Sequence, residues 1–122
     1  MIQRDLKLST NDITDGLIKY IIDKIVSEIN PEKIILFGSH AMGTATKNSD
    51  LDLFIIKDGK VGNREIRRKI NLLLFGRRFG VDIIVRKPEE VEVNLKDNNP
   101  FYVYNLFRDG RVVYDREKEI TR

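Results

Sequence analysis

With 122 residues, 41% hydrophobic and 34% charged, the chain has room for one domain around one modest core. It has no cysteine, which excludes a disulfide framework, thiolate metal sites and a cysteine nucleophile. Net charge is only +3 but unevenly placed: residues 57–87 hold 10 Lys/Arg against 3 Asp/Glu, while residues 1–56 and 88–122 each hold 6 against 8, so an anion is drawn to the middle.

The opening stretch, MIQRDLKLSTND, lacks the apolar core of a signal peptide. No apolar run approaches the ~18 residues of a membrane span. The expectation is a cytoplasmic chain with no membrane partner, folded as one domain over 1–122. Residues 12–30 read as an amphipathic helix: Ile13, Leu17, Ile21, Ile25 and Ile29 recur every fourth position, Asp12 and Asp15 suit the positive end of its dipole, and Asn30-Pro31 stops it. KIILFG (33–38) reads as a buried strand, SHAMGTA (39–45) as a helical turn, TKNS (46–49) as a loop, and LDLFIIK (51–57) as a second strand closed by a turn at 57–60.

Helical spacing returns over 63–79, with Ile66, Ile70, Leu73 and Leu74 inward, Asn63 as the cap and Gly80 as a left-handed stop. VDIIV (81–85) is a third strand, apolar except for Asp82. Short helices are expected from Pro88 to about Leu95 and from Phe101 to Arg108, stopped by Gly110, and RVVY (111–114) as a fourth strand. Spacing places Phe101, Tyr104 and Phe107 on one buried stripe and leaves Tyr102 out. The alternation of helices and strands predicts an α+β fold, a small mixed sheet flanked by helices.

Asp50 and Asp52, two apart at the start of a strand, point to the same face. Neither gains from burial without a cation, and oxygen-only ligands suit Mg²⁺ or Mn²⁺. Asp82, the lone charge in an apolar strand, is the third candidate and would add a base. Gly38-Ser39 ends a strand and opens a turn, where backbone N–H groups and the Ser39 hydroxyl can meet a phosphate. Each piece alone also describes an ordinary turn or strand edge. The joint pattern carries the specificity: strand, Gly-Ser, ten residues, Asp-x-Asp, then a lone Asp in a later strand. His40, the only histidine, is expected to be an exposed loop residue. Arg64, Arg67 and Arg68 form one side of the basic helix with Arg77 and Arg78 near its end. Few aromatics lie among them, which argues against direct nucleic-acid binding.

The stretch LFGSHAMGTATKNSDLDLFII resembles the signature of the minimal nucleotidyltransferases, a branch of the polymerase-β-like superfamily, and VDIIV and NLFRDGRVVYD extend the resemblance over nearly the whole chain. It implies a nucleotidyltransferase fold in which Gly38 and Ser39 contact the triphosphate of ATP and Asp50, Asp52 and Asp82 are the catalytic and metal-binding carboxylates. It implies transfer of AMP to an acceptor hydroxyl with release of pyrophosphate. It departs at Met42-Gly43, where many relatives carry Arg before the glycine. Larger relatives hold the acceptor in an added domain, for which these residues leave no room. Stand-alone members pair with a helical HEPN toxin, so the resemblance implies an antitoxin that adenylylates a tyrosine of such a partner. The alternatives are an antitoxin or subunit that only masks its partner, and a nucleotide-binding regulator.

Overall fold

A computed structural model describes residues 4–120, with the side chains of 119 and 120 outside the description. The expectation of one domain over 1–122 therefore includes 1–3 and 121–122, which lie outside the described residues. After a 3-10 turn at Leu6–Leu8 come α1 (Asp15–Ile29), β1 (Lys33–Phe37), α2 (Ser39–Met42), β2 (Leu51–Ile56), α3 (Asn63–Leu73), β3 (Val81–Arg86) and α4 (Pro88–Lys96). A π-helix (Phe101–Arg108), β4 (Arg111–Asp115) and α5 (Arg116–Ile120) complete the order.

The strands form one sheet in the order β3-β2-β1-β4. β1 is antiparallel to both neighbours, and β2 runs parallel to β3. A parallel pair cannot be joined by a hairpin, and α3 supplies the crossover. This is the mixed α+β architecture that the alternating pattern predicts.

Alternation along each strand splits the interior in two. Ile34, Leu36, Leu51, Leu53, Ile55, Ile83 and Val85 face a larger cluster closed by the isoleucines of α1 and by Ile66 and Ile70 of α3. Ile35, Phe54 and Ile56 face a smaller one, closed by Val91 of α4 and by Tyr102 and Leu106 of the π-helix. Asp52 and Asp82 share the face of this second cluster but lie beyond its cover, at the end of the sheet where β1 finishes and β2 and β3 begin.

Several boundaries differ from the sequence reading. α1 starts at Asp15, because Thr14 takes the cap position and its Oγ1 accepts from the Leu17 amide at 3.1 Å; Asp12 stays outside. α3 stops at Leu73, six residues early. The left-handed residue is Gly76, at φ 97°, and not Gly80, so Arg77 and Arg78 lie beyond the helix. Asn63 is the first residue of α3 and makes no cap bond; its amide donates to Glu90 Oε1 at 2.7 Å and ties α3 to α4. The aromatic stripe is also corrected: Tyr102 is buried, while Tyr104 and Phe107 are exposed. In this π-helix Tyr102 and Leu106, four residues apart, are the buried pair. Phe101 does pack, edge-on to Phe37 with centroids 5.5 Å apart.

Candidate active site

Gly38 joins β1 to α2 at φ 75° and ψ −157°, a conformation essentially limited to glycine. Its missing side chain matters as much as its backbone. A Cβ on Gly38 would lie 2.2 Å from Asp52 Oδ2, so the carboxylate of Asp52 rests directly on the glycine. The turn therefore brings the opening of α2 against the first carboxylate of β2. The amides of Ser39 and His40, in the first turn, have no carbonyl within the helix to bond.

Parallel pairing sets Asp52 beside Asp82, and the same register carried back two residues sets Asp50 beside Gly80, with the Leu51 amide donating to the Gly80 carbonyl at 2.9 Å. Gly80 leaves the place of a side chain free, and Asp50 fills it: a Cβ there would lie 2.0 Å from Asp50 Oδ1. The strands thus bring Asp52 and Asp82 together as a pair and lay Asp50 over the neighbouring glycine. Among the described residues, no three carboxylate or histidine side chains close on one point tightly enough to hold a metal ion.

Asp52 is half-buried, whereas Asp50 and Asp82 are exposed. Burial first, then the negative charges of Asp82 and Asp50, push the Asp52 carboxyl above its usual range; a hydrogen bond shared with Asp82 adds to this, and His40 opposes it. Among the described residues no Lys or Arg forms an ion pair with any of the three. The donor set is negative, all-oxygen and without internal compensation. It fits a hard divalent cation.

His40 is not the exposed loop residue the sequence suggests. It sits half-buried in α2, its Nε2 3.4 Å from the Ser49 carbonyl oxygen. Beside Asp50 a groove of about 420 Å³ is walled by Lys47, Arg78 and Phe79. Sequence reasoning missed Arg78 and Gly80 here. It placed the first inside a helix and made the second a stop, whereas α3 ends early and frees Arg78, and the β2–β3 register sets Gly80 beside Asp50.

The site as a whole is a Gly-Ser turn on a strand end, facing carboxylates on two parallel strands. Residues 19–119 match the family described as Polymerase beta, Nucleotidyltransferase, and the chain belongs to it. Two proteins of Methanocaldococcus jannaschii, each named "putative protein adenylyltransferase", are similar. One is 32% identical over 110 residues, 88% of this chain and 73% of that protein. The other is 39% identical over 83 residues, 68% of this chain and 78% of that protein. A crystal structure described as a "putative nucleotidyltransferase" from Sulfolobus solfataricus superposes with a TM-score of 0.55 at 28% identity, covering 84% of this chain and 81% of that one.

Proposed function

We propose that this chain transfers AMP from ATP to a hydroxyl of a partner protein, with a tyrosine of a small helical HEPN toxin as the acceptor, and thereby acts as its antitoxin. The observation that carries the chemistry is the Asp52–Asp82 pair, an uncompensated pair of carboxylates of which Asp52 rests on Gly38. The names of the two relatives support a protein acceptor. The toxin partner rests on the resemblance to the minimal nucleotidyltransferases.

In this reading Ser39 and the first amides of α2 orient the triphosphate, and Lys47 and Arg78 supply cations near its path where Met42 supplies none. Asp52 and Asp82, with Asp50 beside them, would hold Mg²⁺ or Mn²⁺. Such an ion, when bound, screens the phosphate charge and stabilises the attacking and leaving oxygens. The acceptor oxygen forms a bond to the α-phosphorus as the bond to the β-phosphate bridging oxygen breaks. Pyrophosphate leaves, and the exposed carboxylate of Asp82 takes the hydroxyl proton.

The test is incubation with α-labelled ATP, Mg²⁺ and the product of the neighbouring gene. Label is expected on a tyrosine of that product. Label that persists with Asp52→Asn would overturn the metal role. One observation favours a second reading, a partner-masking antitoxin: Asp50 lies over Gly80 and does not close a three-carboxylate cage. Rescue from toxicity by the Asp50→Asn/Asp52→Asn double variant would establish masking.

A further inference from the structure

β3 is the terminal strand of the sheet, with β2 on one side only. The Gly80 carbonyl accepts from the Leu51 amide and the Arg86 carbonyl from the Lys57 amide, so the even-numbered residues of this segment bond inward to β2. By alternation, the backbone groups of Val81, Ile83 and Val85 point outward from the sheet edge. Arg86 Nη1 occupies the Val85 carbonyl at 2.7 Å.

This edge opens onto a groove of about 830 Å³ between α3 and β3, separate from the carboxylates. Its floor is Ile83, Ile84 and Val85. Its wall is Arg64, Arg67 and Arg68 of α3, and Arg86 stands at its end. No acidic residue is among those that line it. Arg68 pairs with Glu65, whereas among the described residues Arg64 and Arg67 form no ion pair. Exposed edges are commonly blunted by charge, but here the charge stands on the helix alongside; Ile83 is 7% exposed, and among the described residues no side chain bonds to its backbone.

We propose that this groove binds an extended acidic segment of a partner protein, which adds to the sheet as a fifth strand beside β3. The spacing supports it. Along the axis of α3, Arg64 and Arg67 are separated by about 4.5 Å and Arg64 and Arg68 by about 6 Å. Alternate side chains of an extended segment are about 6.5–7 Å apart. The long arginine side chains span the difference, so carboxylates at every second position can meet them while the backbone pairs with β3. A second copy of this chain does not fit, because pairing β3 with its own copy would bring two arginine rows together. The inference is independent of nucleotidyl transfer and is tested without ATP.

The probe is a fluorescein-labelled ten-residue peptide alternating Glu and Thr, titrated by anisotropy against the full chain. Binding on the order of 10–100 µM is expected. A matching Lys/Thr peptide should not bind, and Arg64→Glu/Arg67→Glu should weaken binding by at least ~10-fold. Because both arginines are exposed, the variant should keep its fold. N-methylation of the four central peptide amides should also cost at least ~10-fold, and bound peptide should slow hydrogen exchange of the Ile83 amide. Equal affinity of the N-methylated peptide would overturn strand addition, as would absence of binding at millimolar peptide. Displacement of the peptide by a tighter-binding oligouridylate would make the groove a nucleic-acid surface and overturn the proposal.

Discussion

Two aspartates on this molecule meet opposite surroundings. Asp5, ahead of α1, accepts from Lys24 Nζ and the Tyr20 hydroxyl, both at 2.5 Å, and from the Lys7 amide at 3.1 Å. Burial pushes its carboxyl up, but the hydrogen bonds of Lys24, Tyr20 and the Lys7 amide outweigh it and hold the carboxyl below its usual range. Asp52 is also drawn out of water, yet its closest ionisable partners include two further carboxylates, and its carboxyl is held high. The first arrangement ties the chain start to α1. The second is costly to the fold, and a protein keeps such a cost where a ligand can relieve it.

The sharpest way to break this contrast is Asp52→Asn. In our reading transfer should fall by on the order of 10³-fold or more. Mn²⁺ binding, followed by calorimetry, should weaken in parallel. The same change removes a repelled carboxylate, so the apo protein should gain stability at neutral pH, by about 1 kcal/mol or less given the partial exposure. A loss of stability in thermal unfolding would show that the carboxylates do not strain the fold.

Gly80→Ala comes next. The new methyl group must displace the Asp50 carboxylate, and transfer should drop by roughly 10–100-fold, the scale of a ~1 Å misplacement. Circular dichroism should stay unchanged. On the other side of the comparison, Lys24→Met should leave transfer per folded molecule intact and cost about 1–2 kcal/mol in urea unfolding, because Asp5 keeps its burial and loses its main donor.

The smallest effect is in pH dependence. Asp5, with its lowered value, contributes stability above the unfolded carboxyl value that is lost as pH falls through the folded one. Asp52, with its raised value, contributes stability present below the unfolded value and lost as pH rises through the folded one. Wild-type protein minus Asp52→Asn should therefore lose relative stability as pH rises above about 4. Wild-type minus Lys24→Met should lose it below about pH 4. Melting curves across that range check both signs.

Three strands and most helices were legible because short apolar runs stand out along 33–37, 51–56 and 81–86 and helical spacing along 15–29. Asp52 and Asp82 could be read as neighbours only through the family resemblance; spacing along the chain does not fix which strands pair. The role of Gly80 was hidden for the same reason, since it depends on the residue across the register, 30 positions away. The early end of α3 was masked by apolar residues continuing to Phe79, while Gly76 turns left-handed under the side chain of Arg4. The π-helix escaped because its period is not the one sought.

Gly38 and Gly80 also limit how this domain can adapt to heat. Replacing glycine by alanine commonly adds ~0.4–1 kcal/mol by restricting the unfolded chain. At these two positions the methyl group would occupy the space of a carboxylate, so that route to heat resistance is closed there. Lineages of this fold that adapt to higher temperature while keeping the Asp50 and Asp52 arrangement should retain both glycines and take their stabilising substitutions elsewhere.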